Sequence, residues 1–225
     1  MVPVVNADAA VVFGLYQQTR ERISALVAGL DDAAVAASVA ACPRWTVRDV
    51  VAHLTAVAQD WADGSLTGPP TDAQTAAQVG RFRHHDMAEI IAAWSEATVR
   101  LDQAAESRGV EPPLGDITSH EHDIRGALGR PGARDSEAVR HSSDRLLGIL
   151  MPRKPVRVIV EDGQYRCGPP DSDEIVLRTT RFEALRWRTG RRSRGQLAAM
   201  DWTGDPTPVL DDLYLFGPAD GDVLE

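Results

Sequence analysis

The sequence predicts an α+β protein: a four-helix bundle over residues 1–152 followed by a small α/β domain over residues 153–225. Three observations carry this. Apolar residues recur at helical spacing through the first two thirds of the chain, the pattern turns to short β-branched runs beyond Pro155, and Pro152 and Pro155 punctuate the change.

The first helix spans about Ala7 to Leu30, where Val11, Leu15, Ile23, Leu26 and Val27 form the stripe, Asn6 can cap and Gly29 lies near the end. A second starts at Thr46, whose hydroxyl can cap while Asp49 returns the contact, with Trp45 placed to staple onto Val50; it runs to about Ala62. After the turn-rich GSLTGPPTDAQ, good helix formers from Thr75 to Ser107 make a third helix, with a separate first turn as the alternative, striped by Ile90, Ile91, Trp94, Ala97 and Leu101. Pro112 and Pro113 precede a fourth, striped by Ile117, His120, Ile124 and Leu128 and stopped at Gly129 and Pro131. A shorter fifth helix, Ser136 to Leu150, reads as a connector. VRVIV and YRCG around EDGQ resemble a hairpin, EIVLRTT a third strand, Arg181–Arg188 a helix, QLAAMDW a second helical piece, and VLDDLYLFG a closing segment.

Composition narrows the function. With 24 basic and 33 acidic residues the net charge is −9, which disfavours nonspecific binding to nucleic acid or to an anionic membrane. Cys42 and Cys167 lie far apart without CxxC spacing, so neither a disulfide framework nor a cysteine-rich zinc site is expected, and a reducing cytoplasm fits. No segment reads as a signal peptide or a membrane span. Lys154 is the only lysine beside many arginines and alanines, as in the codon usage of a high-GC bacterial genome.

The chemistry-bearing pattern is His53 in the stripe of the second helix, with Asp116 and His120 one turn apart in the fourth. Residues at i and i+4 share a helix face, and imidazole with carboxylate suits a borderline divalent ion such as zinc, with nickel second. A lone buried histidine is usually a satisfied core residue. Three such groups converging would be costly to bury unless an ion holds them. His122 lies about 200° round the helix from His120 and belongs to another face. His84 and His85 read as a solvated helix start, His141 as surface. Asp123 either orients an imidazole or pairs with Arg44 or Arg48. In the arginine-rich segment 178–194, Gly190, Arg191, Arg192 and Ser193 form a turn where guanidinium groups could grip a carboxylate.

CPRWTVRDVVAHL followed by SHEHDIRGALGRP resembles the mycothiol-dependent maleylpyruvate isomerase family, within the DinB-like metal-binding superfamily; TGRRSRGQL and DWTGDP carry a weaker likeness in the tail. The resemblance implies a metal held by His53, Asp116 and His120, with Asp at position 116 where the family has Glu. It implies a substrate-binding arginine at Arg191 or Arg192, and mycothiol as cosubstrate. The expected function is a cytoplasmic isomerase or S-transferase whose divalent metal activates a small thiol for attack on an electrophilic, carboxylate-bearing substrate, in a monomer or homodimer. The alternatives are a metal-dependent hydrolase with Glu121 or His122 as base, a noncatalytic metal-binding or sequestering protein, and a structural protein whose core histidines pair with Asp116.

Overall fold

The computed structural model describes residues 7–170 and 174–225, with side chains from residue 9; the expected cap Asn6 lies outside the described residues. Two compact units make up the chain, one running to Pro131 and including Glu225, the other spanning Gly132–Leu224.

The first unit holds α1 (Ala7–Val27), α2 (Asp32–Val35), the two-stranded ribbon β1 (Ser38–Val39) and β2 (Cys42–Thr46), α3 (Val47–Asp63), α4 (Asp72–Arg81), α5 (Met87–Arg108) and α6 (Leu114–Ala127). The bundle forms because α3 packs on α4, α5 and α6 while α1 packs on α5 and α6. Ile23, Val50, Val51, Ile90, Trp94, Leu101, Ile117 and Ile124 are fully buried along these stripes. Thr46 begins α3 as expected: its hydroxyl accepts from Asp49 N at 3.2 Å and its own N–H donates to Asp49 Oδ2 at 3.0 Å. The expected third helix is two helices. Asp86 caps α5 reciprocally with Glu89, and this start outcompetes continuation from α4, leaving His84 and His85 exposed in the turn.

The second unit contains α7 (Glu137–Gly148), β3 (Val156–Val160), β4 (Gly163–Cys167), β5 (Ile175–Arg178), α8 (Arg181–Arg188), α9 (Arg194–Ala198), β6 (Asp201–Thr203) and a 3₁₀ turn at Leu210–Asp212. Its sheet runs β4-β3-β5-β6, with β3 antiparallel to β4, parallel to β5, and β6 antiparallel to β5. The units divide at 131/132, earlier than the expected 152/153, because α7 gives its apolar face to the second core. Val139 and Leu146 pack with Phe182 and Leu185, and Leu147 joins the sheet cluster of Val156, Val158, Leu177 and Trp187. Asp201–Thr203, expected as the end of a helical piece, is instead the strand β6.

Candidate metal centre

Two helices bring the expected ligands together. α3 carries His53, 2% exposed, and α6 carries His120, 5% exposed, and Asp116 in its first turn, where the helix dipole favours a carboxylate. Pro112 and Pro113 end the preceding segment and set that first turn. His53 Nε2 lies 3.7 Å from Asp116 Oδ2, and His120 Nε2 lies 3.6 Å from Asp116 Oδ1. The three donor atoms all fall within 4.8 Å of one another. Separations of 3.6 and 3.7 Å are too long for hydrogen bonds. They approach the edge of a tetrahedron of N and O ligands around zinc, about 3.4 Å from metal–ligand distances near 2.1 Å. The donor set therefore fits a divalent ion, and Asp at position 116 is long enough to face both imidazoles.

The surroundings hold this arrangement. Asp123 Oδ2 lies 2.9 Å from His120 Nδ1 with its side chain fully buried, so it faces the imidazole and not Arg44 or Arg48. Arg48 is occupied elsewhere, donating to the carbonyls of Phe82 and His85. His53 Nδ1 is buried and makes no hydrogen bond. Trp45 covers both rings, at 5.0 Å from His53 and 6.0 Å and 29° from His120 between centroids. Sequence reasoning took Trp45 for a helix staple and missed this contact; its place eight residues before His53 was the available signal. Tyr16, also missed, is buried behind the bundle face and accepts from Trp94 Nε1 at 3.1 Å. Burial raises its pKa well above the ordinary phenol value; the Trp94 N–H opposes this and the charge of Asp116 adds to it.

Glu121 cannot serve as an inward-facing base. Its fully buried carboxylate accepts from Arg22 Nε and Nη2 at 2.9 and 2.7 Å and from Arg125 Nε and Nη2 at 3.1 and 3.0 Å. His122 is buried, 2% exposed. A second possible donor set, Cys42, His120 and Asp123, shares His120.

Arg191 and Arg192 belong to the second unit, in the turn after α8 that Gly190 makes at φ 78°. Arg192 is 6% exposed and forks onto Glu183, Nε to Oε2 at 2.7 Å and Nη2 to Oε1 at 2.8 Å. Arg191 is half-buried, and its Nη1 donates to Thr189 O at 2.6 Å. In this turn, expected to grip a carboxylate, the Arg192 guanidinium holds the carboxylate of Glu183.

A helix bundle with an inward histidine–carboxylate cluster, followed by a small α+β unit, defines the class of this protein. The chain belongs to the mycothiol maleylpyruvate isomerase N-terminal domain family, which matches residues 16–144 and is named for an enzyme. Its fold is similar to the crystal structure of a mycothiol-dependent maleylpyruvate isomerase and to that of a histidine-to-alanine mutant of it. Each superposes with a TM-score of 0.54 at 14% identity, covering 81% of this chain and 89% of the other. No curated protein matches the chain. Among the described residues no helix is long and apolar enough to cross a membrane.

Proposed function

We propose that this protein is a metal-dependent, thiol-using isomerase or S-transferase that acts in the cytoplasm on a small electrophile bearing a carboxylate. The observation that carries the reading is the trio His53, Asp116 and His120, whose facing atoms stand 3.6 and 3.7 Å apart, beyond hydrogen bonds and close to a ligand edge. These residues would hold a divalent ion, zinc first and nickel second. When bound, the ion supplies Lewis acidity that keeps an adjacent thiol deprotonated near neutral pH. Family membership supports the thiol half of the reading, because the family and the similar crystal structures are those of a mycothiol-dependent isomerase.

The chain's own residues divide the remaining work. His53 and His120 present Nε2 from two helices, and the packed rings of the two histidines and Trp45 keep water from one side of the centre. In the second unit, Arg192, fixed to Glu183, stiffens the turn that carries Arg191, the residue proposed to bind a carboxylate there. The reaction class is addition of a thiolate to a conjugated double bond, rotation about the resulting single bond, and expulsion of the thiolate. A hydrolase needs a base, and the clamping of Glu121 by two arginines argues against that alternative.

The test is zinc content and turnover of maleylpyruvate with mycothiol in wild type, His53→Ala and His120→Ala. Near-stoichiometric zinc and thiol-dependent turnover in wild type, both falling to background in folded variants, is the expected result. Zinc without any thiol-dependent turnover would transfer the site to a sequestering role. A metal-free, inactive wild type after zinc and nickel are offered would end the metal reading.

A further inference from the structure

We propose that Trp45 is a positioning residue of this centre, fixing the His53 imidazole so that its Nε2 stays turned to Asp116. The inference rests on the reading of His53, Asp116 and His120 as ligands, and concerns what holds one of those rings in place. An imidazole turns about its Cβ–Cγ bond between broad, roughly two-fold wells, and a half-turn puts Cε1 where Nε2 stands. In metal sites a hydrogen bond from the second ring nitrogen ordinarily prevents that rotation. His53 Nδ1 is buried and makes no hydrogen bond, so the orientation of this ring is left to packing.

That packing is aromatic and closed. The ring centroids of Trp45 and His53 lie 5.0 Å apart with planes at 46°, and His120 meets His53 edge-on at 5.2 Å and 73°. Trp45 and His120 complete the triangle at 6.0 Å and 29°. All three separations fall in the range of roughly 4.5–7 Å in which aromatic pairs attract beyond the area they bury. A half-turn of His53 therefore has to sweep past an indole and the other ligand imidazole. The local sequence puts the indole there. Trp45 stands in β2 immediately before Thr46, whose reciprocal cap with Asp49 fixes the entry into α3, and His53 follows about two turns into that helix. Trp45 is half-buried and is not one of the sealed core residues of the bundle. A staple onto Val50 would ask only for an apolar side chain at this position, whereas holding an imidazole asks for an aromatic face.

Two substitutions separate a staple from a positioning ring. Trp45→Leu keeps an apolar group before the cap and removes the aromatic face, while Trp45→Phe keeps a smaller aromatic face. Zinc affinity by chelator competition is expected to fall about tenfold in Trp45→Leu, as for a site whose competent ring orientation is populated in about one molecule in ten. It is expected to stay within about threefold of wild type in Trp45→Phe, with unchanged far-UV spectra in both variants. In metal-free protein, nuclear Overhauser contacts of the His53 Cδ2 proton are expected to report one ring orientation in wild type and Trp45→Phe, and two in Trp45→Leu. A Trp45→Leu protein with wild-type zinc affinity and a single His53 orientation would overturn the proposal. So would the absence of Overhauser contacts between the Trp45 indole and the His53 ring in the wild type, a result that needs no variant to fold. Failure of the wild type to bind zinc would count against the metal reading alone, because the orientation of His53 in metal-free protein still decides what Trp45 does.

Discussion

Cys167 is 6% exposed, its thiol points at Leu147 O at 3.7 Å, and burial pushes its pKa up to about 11, with only the charge of Arg188 pulling the other way. A shift from 9.0 to about 11 leaves about a hundredfold less thiolate at neutral pH, and the thiolate is the reactive form. Cys42, half-buried on β2, has no comparable enclosure. An aromatic disulfide reagent at neutral pH is therefore expected to label one thiol per native chain and two per unfolded chain, with the native signal lost in Cys42→Ser. Equal labelling rates for the two cysteines in the native protein would contradict the burial argument. Single residues were legible in proportion to how local their geometry is. His53 sits on one amphipathic stripe, and Asp116 and His120 one turn apart on another, so their faces followed from helix periodicity. Asp123 was left between two partners because three residues along a helix fixes its face but not which side chain waits there. Trp45 precedes its helix, and its approach to both imidazoles depends on how β2 leads into α3, which no periodicity reports.

Between elements, the first unit is tied by the buried Glu121 of α6, which accepts from Arg22 of α1 and from Arg125 one turn further along its own helix. Removing the charge leaves two guanidinium groups facing a neutral amide. Because Arg22 and Arg125 keep 29% and 16% side-chain exposure, both can turn partly to water, which holds the cost below that of a sealed pair. Glu121→Gln is expected to lose about 2–3 kcal/mol by urea unfolding, as for charged hydrogen bonds, whereas Glu137→Gln in the exposed pair with Arg140 should stay within about 0.5 kcal/mol of wild type. Matching losses in the two variants would show that burial is irrelevant to the tie. The long helices and the β3–β4 hairpin were readable because their patterns are local. The break between α4 and α5 was read as no more than a separate first turn although Asp86 and Glu89 spell a reciprocal cap, since good helix formers on both sides masked it. β6 was missed for a deeper reason: Asp201–Thr203 is a strand only because Val176, Leu177 and Arg178 pair with it from more than twenty residues away.

At the scale of the whole molecule, acid acts on the second unit through Asp144, Asp205 and Asp212, whose pKa values are all displaced downward. For Asp144 burial pushes upward, but the Tyr165 hydroxyl and the Arg181 guanidinium, 2.5 Å away, more than offset it. Asp212 is lowered by the bond from Arg153, and Asp205 by Thr207. A carboxylate whose folded pKa lies below its ordinary 3.8 contributes stability that is fully present above that value and disappears as pH falls through the folded pKa. The second unit should accordingly weaken from about pH 4 downward. Asp144 is half-exposed and its share is that of a surface ion pair, so Asp144→Asn is expected to cost about 0.5–1 kcal/mol at neutral pH and progressively less in acid. Urea midpoints of wild type and Asp144→Asn, measured from neutral pH down to about pH 2.5, should converge as the wild-type carboxylate protonates. A gap that stays constant to the acid end would mean that the contribution of Asp144 is packing and not charge, and the ion-pair account of the α7–β4–α8 junction would have to be abandoned.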